Sequence, residues 1–495
     1  MRTRADLTPA QLQTIEALLA HPGYGCATVA DLGMGKTIIM LTALAELLPI
    51  DGGPVLVVAP LIVANRGWPA EIAAWEHTAG MTYSVLTGTA EQRRKAYDTP
   101  ADLHIINQEN VTWLAEMHIR KGKSGRWAIR KRWPYRIVVI DELTAFGDSG
   151  SQRFNALRLL RPHIELIYGM TATPAAEGYL KFFAMTFLLD RGKRFGRSIT
   201  KFRDRYFDEN PYTRARKLRP GADREIMGHV SDLFIPLRRV RGPDDHPRLI
   251  TRQVEMNEVE MARYRQFERE FILETPDGTM IEAVHAAALR TKLQQLAAGA
   301  VYDAGRKAHF FHNRKTESLV ELVQEAGATN MIVAYWFKSS LTRIKRALPD
   351  AVELDARDDT VDRWNRGEIR TLLLHPQAAG RGVNLQHGGS VIVIYDLPVS
   401  NELYQQLIGR VDRTGQTQPV RVYHLSTAGT VDPAIEAALQ GKQEIGDAFM
   451  REITRRRDQW VAERGPPPVD KLTAALAAAY AHVRSIPSFS KEKHT

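Results

Sequence analysis

Two series of short apolar runs, rich in β-branched residues and separated by amphipathic stretches, set the reading of this chain. In the first half the runs are 26–29, 55–59, 83–86, 103–106, 137–140 and 166–168; in the second they are 331–335, 351–354, 371–374, 391–395 and 420–423. Helical patterns lie between them, for example around 69–75 and 151–160. Buried strands alternating with helices predict an α/β chain with two doubly wound parallel sheets. An entry helix is expected to begin at Thr8-Pro9, with Thr8 as its cap and Pro9 in its first turn. The interval from about 180 to 310 reads as mostly helical, with breaks at Pro211, Pro220, Pro236 and Pro243. Gly465-Pro466-Pro467-Pro468 ends the ordered architecture, and an alanine-rich helix and a polar tail follow. The expected divisions are therefore 1–180, 181–310, 311–465 and 466–495. No solenoid period of 20–50 residues is present.

One stretch organises the rest. Ala30-Asp31-Leu32-Gly33-Met34-Gly35-Lys36-Thr37 follows the first apolar run and opens a helical pattern through Ile38, Ile39, Leu41 and Leu44. Strand, glycine turn and helix start are the context of a phosphate-binding loop. Gly33 and Gly35 let the backbone curl, so that its amides and the positive helix end point at a polyphosphate. Lys36 would reach the β- and γ-phosphates, and the Thr37 hydroxyl would sit on Mg²⁺. The usual pattern has Gly at the first position, where this chain has Ala30.

The run 137–140 ends in two adjacent carboxylates, Asp141 and Glu142. Acids at the C-terminal edge of a buried strand face the place where such sheets bind ligands. Beside a phosphate loop, Asp141 would hold Mg²⁺ through water and Glu142 would orient the attacking water. The bland alternative is a strand-to-helix turn capped by acids. Far along the chain, Arg410 and Arg413 stand three apart, on one face of a helix read as ending at Gly415. They could reach a γ-phosphate as arginine fingers; without a partner loop they would be surface ion pairs.

Composition narrows the class. Of 495 residues, 44% are hydrophobic and 25% charged, an ordinary globular balance. Cys26 is the single cysteine, which excludes an internal disulfide framework and fits a reducing compartment. No apolar run is long enough to cross a bilayer, and residues 1–6 lack an apolar signal core, so a cytosolic protein is expected. The net charge of +10 points towards a polyanionic partner.

Taken together, these residues resemble the superfamily-two helicase-like ATPases of the Swi/Snf type, in the compact form found in bacteria and phages. The resemblance runs from about Leu7 to Leu439. Leu7-Thr8-Pro9-Ala10-Gln11 resembles the adenine-reading glutamine motif. The loop with Ala at its first position is the family's own. Residues 58–61 with Trp68 and Trp75 are similar to the nucleic-acid-contact motif that follows. Met170-Thr171-Ala172-Thr173-Pro174 resembles the motif that couples hydrolysis to domain movement. Residues 375–386 and 406–416 look like the last two motifs, and Arg413-Thr414-Gly415-Gln416 is particular to the Swi/Snf branch. The resemblance implies two RecA-like lobes, with ATP and Mg²⁺ as cofactors. Gln11, Gly33, Met34, Gly35, Lys36, Thr37, Ile38, Gly382 and Gln406 would contact nucleotide. Lys36, Asp141, Glu142, Arg410 and Arg413 would be catalytic, and Thr171, Thr173 and Thr144 would couple hydrolysis to movement. Thr144 stands where the family usually has His, which puts signalling to Gln406 in doubt. Leu237-Arg238-Arg239 resembles the element at the passage between lobes.

Two basic clusters carry the nucleic-acid expectation. From 117 to 140 there are eight Lys or Arg and no acid, with Trp127 and Trp133 interleaved; Arg126, Arg130, Lys131 and Arg132 are the candidate contacts. From 191 to 224 there are twelve Lys or Arg against four acids, with Lys193, Arg194 and Lys201 as candidates, in the helical protrusion the resemblance implies. Such clusters can neutralise several phosphates. Their aromatics could stack on bases or anchor the segment to the core. His375 and His424 have no partner at metal-ligand spacing, and Met34 and Trp336 read as packing residues. Duplex DNA is the expected partner of a monomer that moves along it, with a nuclease or a replication or repair protein as a further partner. A strand-separating helicase on DNA or RNA, and a nucleotide-gated DNA-binding module, remain the alternatives.

Overall fold

The computed structural model describes residues 1–441, apart from 32, 123–126, 176–177, 211–215, 239–245, 271, 275–279, 283–285, 355–358, 380–383, 399 and 414. The tail, the Gly-Pro-Pro-Pro break, Arg126, Arg239, Gly382 and Thr414 therefore lie outside the described residues. The chain forms two units that divide between Arg239 and Val240.

In the first unit, helix α1 (Pro9–Ala20) precedes strand β1 (Gly25–Ala30), and α2 (Lys36–Asp51) follows it. Then come β2 (Val55–Ala59), β3 (Tyr83–Leu86), β4 (Leu103–Asn107), a ribbon of β5 (Ile119–Lys121) and β6 (Trp127–Ile129), β7 (Ile137–Asp141) and β8 (Leu166–Thr171). A second ribbon, β9 (Phe207–Glu209) with β10 (Arg216–Leu218), precedes β11 (Phe234–Leu237). Seven strands make one parallel sheet in the order β11-β1-β8-β7-β2-β4-β3. Both faces are covered, which is why these strands read as continuous apolar runs. Ala27, Val29, Leu56 and Val58 face one core, and Cys26, Val55, Val57 and Ala59 face the other.

The second unit begins with β12 (Arg248–Val254) and two short antiparallel ribbons, β13 (Ile272–Glu274) with β14 (Met280–Glu282) and β15 (Ala300–Tyr302) with β16 (Ala308–Phe310). Strands β17 (Met331–Ala334), β18 (Val352–Glu353), β19 (Thr371–Leu374), β20 (Val391–Ile394) and β21 (Arg421–Thr427) join β12 in a parallel sheet ordered β12-β21-β20-β17-β19-β18. The inner strands of this sheet too are buried on both faces, while the edge strand β12 is largely exposed.

The stretch 181–310, read as mostly helical, contributes a strand to each sheet. β11 pairs with β1 and β12 with β21. Sequence periodicity understates these strands because β12 is largely exposed and β11 contains Pro236. No described helix is long and apolar enough to cross a membrane.

Candidate nucleotide-binding and catalytic site

In the first sheet β8 lies between β1 and β7, with Val29 opposite Thr171 and Asp141 opposite Met170. The glycine loop, Thr171 and the acid pair therefore emerge side by side at the C-terminal ends of three adjacent strands. Gly33 and Gly35 take left-handed conformations, with φ of 85° and 76°. Gly35 caps α2, whose first turn is Lys36, Thr37 and Ile38, so the free amides of that turn open into the loop. The Lys36 ammonium donates to the Ala30 carbonyl across the loop at 2.9 Å. The Asp31 amide donates to the Leu237 carbonyl at 3.2 Å, which ties the loop to β11.

Gln11 closes the loop from the other side. Its side-chain oxygen accepts from the Thr8 amide at 2.8 Å while the Thr8 hydroxyl accepts from the Gln11 amide, a capping box that fixes the start of α1. Its Nε2 donates to the Met34 carbonyl at 3.0 Å. A Cβ on Gly35 would stand 2.6 Å from that nitrogen, so a side chain there would displace the Gln11 amide besides straining the positive φ.

Asp141 is buried and its carboxyl is pushed up by burial, against the opposing pull of the Trp68 indole, the Lys36 charge and the Glu142 amide. The indole N–H donates to Asp141 Oδ2 at 3.1 Å. The Gln108 amide holds the Asp141 carbonyl at 2.9 Å and itself accepts from Arg153 at 3.3 Å. Glu142 has φ 60° and ψ 65°, a conformation that is costly for a side chain with a Cβ and that clusters at functional sites. Thr144 is buried in the short turn Leu143–Phe146 that follows. The Thr171 hydroxyl accepts from the Thr173 amide at 3.2 Å, fixing the turn after β8. Thr37 and Asp141 offer oxygen donors of the kind a hard divalent cation takes. Among the described residues no group of three or more His, Cys, Asp or Glu could hold a metal ion.

In the second unit, Arg410 sits in the last turn of the helix Asn401–Val411. Arg413 lies beyond it, so the two arginines do not share a helix face as their spacing suggested. The last helical bond runs from the Asp412 amide to Ile408 at 2.8 Å, and Asp412 then turns away with ψ 80°. Gln416 holds this turn: its amide donates to the carbonyls of Gln386 at 2.8 Å and Gly389 at 3.2 Å. Gly415 has φ 99°, and a Cβ there would stand 2.7 Å from Gln386 Nε2. Burial lowers the Arg413 guanidinium, and Gln406 donates to Glu402 at 3.4 Å.

The basic candidates divide by environment. Arg130, Lys131 and Arg132 are exposed, as is Lys201 on the helix Ile199–Tyr206. Arg194 is instead committed to the fold: it pairs with Asp232, approaches Asp190 at 3.7 Å and donates to the His229 carbonyl at 2.5 Å. Lys193 lies over the Tyr24 ring at 4.4 Å. Phe195, Phe202 and Tyr206 pack into the core, so they anchor their segment. Trp68 and Trp75 are likewise buried, within the nucleic-acid-contact stretch of the sequence. Trp336 stacks on His375 with centroids 5.1 Å apart, and His424 is bound by Glu436 at 2.9 Å.

Gln108 is a site residue that sequence reasoning missed, and Trp68 was named there only within the nucleic-acid-contact stretch, with no link to Asp141. Gln108 follows Asn107, the polar last residue of β4, just as Glu142 follows Asp141 at the end of β7, and that polar pair at a strand end is the signal that could have found it.

Two family models match this chain: "DEAD/DEAH box helicase" over residues 8–181 and "Helicase conserved C-terminal domain" over 303–415. It is 32% identical over 447 residues to "Putative protein p41" of Acyrthosiphon pisum secondary endosymbiont phage 1, covering 86% of this chain and 94% of that one. It is 23% identical over 496 residues to "Putative ATP-dependent helicase/translocase YwqA" of Bacillus subtilis (strain 168), covering 93% of this chain and 50% of that one. It is 24% identical over 531 residues to "Protein CHROMATIN REMODELING 19" of Arabidopsis thaliana, covering 90% and 69%. The chain thus spans about half the length of the Bacillus relative.

Proposed function

The chain belongs to the Swi/Snf-type helicase-like ATPases of superfamily two, and from that premise we propose that it is a motor that hydrolyses ATP to move along duplex DNA. The observation that carries this reading is the run of β1, β8 and β7, which sets the phosphate loop, Thr171 and the Asp141-Glu142 pair side by side. Lys36 and the loop amides would hold the phosphates, and Thr37 with Asp141 would hold Mg²⁺, which supplies charge neutralisation on the β- and γ-oxygens. Glu142, in its left-handed backbone conformation just after β7, would orient the attacking water. The resemblance assigns Arg410 and Arg413 to stabilising charge on the transferring phosphate, and Thr171 and Thr173 to coupling hydrolysis with movement. The names of the Bacillus and Arabidopsis relatives, a helicase/translocase and a chromatin-remodelling protein, favour a DNA track.

The test is steady-state ATP hydrolysis with no nucleic acid, blunt duplex, single-stranded DNA and RNA, with Glu142→Gln as the blank. Stimulation by blunt duplex above the other three is the expected result. Preference for single strands or RNA would replace the proposal with an unwinding helicase. Turnover at the level of the blank on every substrate would leave a nucleotide-gated binding module.

A further inference from the structure

The ribbon β5–β6 has no role in the site described above. It leaves the helix Val111–His118 and returns to the first residue of β7, at the end of the sheet opposite Asp141. Lys121 pairs with Trp127 and Ile119 with Ile129, so these four side chains share one face while Arg120 and Ala128 take the other. Ile119 is buried at the root, but Trp127 is 49% exposed and Ile129 37% exposed. A tryptophan left in water on a two-stranded ribbon forgoes a large burial gain. Lys121 stands opposite it, Arg120 lies on the other face of the ribbon, and Arg130, Lys131 and Arg132 follow at its root, all five exposed. Among the described residues none of the five is paired with a carboxylate, whereas the next cation along, Arg136, is bound by Glu165 at 2.5 Å.

The root of the ribbon is held firmly. The His118 carbonyl accepts from the Arg130 amide at 2.7 Å and from the Lys131 amide at 3.2 Å. His118 Nδ1 donates to the Arg132 carbonyl at 3.0 Å, and the Tyr97 hydroxyl bonds its Nε2 at 3.1 Å. Trp133 packs edge-on against the same ring, at 5.1 Å between centroids. Lys131 lies over the Tyr97 ring at 5.0 Å, and an aromatic face beside cations that no carboxylate neutralises, on a fixed base, matches a nucleic-acid strand whose bases are open to stacking. Cations take the phosphates and the indole takes a base. A closed duplex offers phosphates but no base face.

We infer that this ribbon is a second nucleic-acid site, away from the nucleotide loop, which binds an unpaired DNA segment by stacking a base on Trp127. The inference rests on the reading of the chain as a DNA-binding protein and not on its hydrolysing ATP. It would let a motor running on duplex hold a tail or junction at the same time.

The experiment is fluorescence anisotropy without nucleotide, using a blunt duplex and the same duplex with a single-stranded tail. Wild type, Trp127→Ala and Trp127→Phe are compared at two salt concentrations. Trp127→Ala should weaken the tailed DNA about tenfold and leave the blunt duplex within twofold, and Trp127→Phe should recover most of the loss. Equal loss on both DNAs, no loss on either, or a loss that Phe does not repair would overturn the inference. An acidic protein as the true occupant would give the second of these outcomes. Because no nucleotide is present, absent turnover would sink the motor reading and leave this result standing.

Discussion

The side-chain amide of Gln11 donates to the carbonyl of Met34 at 3.0 Å, so the first helix of the chain grips the phosphate loop by its backbone. The same side chain closes the capping box of that helix, which links helix start and loop shape through one residue. Gln11→Glu keeps an oxygen for the Thr8 amide but loses the donor to Met34. One lost hydrogen bond of about 1.5 kcal/mol corresponds to roughly tenfold. The expected outcome is a rise of about that size in KM for ATP with a much smaller change in kcat. Gly35→Ala attacks the same contact from the loop side and adds the strain of a positive φ, so it should cost more than Gln11→Glu. Steady-state kinetics on both variants checks the order.

Trp68 gives a prediction in pH. Its indole is the first of the influences holding the Asp141 carboxyl down against the upward push of burial. Trp68→Phe removes that donor and keeps most of the buried ring. With less support for the ionised form, the carboxyl titrates higher, so the acid limb of the ATPase profile should move to higher pH. The measurement is kcat/KM against pH for both proteins. An unmoved limb would mean that Asp141 does not set it.

These two contacts show what was legible in the sequence and what was not. The glycine loop, the acid pair and the motif after β8 each sit in a few consecutive residues, so their place at strand ends could be read before any fold was known. Periodicity exposed the strands with both faces buried, and therefore both sheets. It could not expose Trp68 on Asp141, which joins residues 73 apart in the chain. Nor could it expose Arg161, fully buried and donating to the carbonyls of Ile164 at 2.6 Å, Tyr24 at 2.9 Å and Leu189 at 3.2 Å. A buried cation satisfied by backbone oxygens leaves no partner acid to find. Arg194 misled in the opposite sense: a basic run advertises phosphate, yet this member spends its guanidinium on Asp232. The arginine pair 410 and 413 was read as helical because spacing alone cannot see Gln416 pull the chain out of the helix.

The arginines themselves can be separated by that geometry. Arg413 follows the turn that Gln416 holds, while Arg410 belongs to the helix. If both act on the transferring phosphate, Arg413→Ala and Arg410→Ala should each lower DNA-stimulated kcat by about 10³ with DNA binding intact. Gln416→Ala should lower kcat through Arg413 alone. Added to Arg413→Ala it should then cost little more, whereas added to Arg410→Ala it should cost its full share. The double-mutant cycle in kcat decides, and additive losses with Arg413 would sever the link.

His312 gives a prediction for stability. Its Nε2 donates to the Leu296 carbonyl at 2.9 Å, its Nδ1 is buried without a partner among the described residues, and the Arg343 guanidinium donates to its own carbonyl at 3.2 Å. Burial pulls the imidazole down to about 4; Glu260 and the Leu296 carbonyl oppose this, and Arg343 and Lys315 add to it. An unfolded histidine takes its proton near pH 6.5. Between about 6.5 and 4 the unfolded chain therefore binds the extra proton, and the second unit loses stability as the pH falls. Over that whole window the loss is roughly 3 kcal/mol, and below it the group contributes no further change. Residues outside this ring drop out when wild type is compared with His312→Gln, whose amide can still donate to Leu296. Calorimetric scans of the full chain at pH 7 and pH 4.5 should show the wild-type transition of this unit falling by roughly 5 °C more than that of the variant. Parallel shifts in the two proteins would assign the acid sensitivity to other groups.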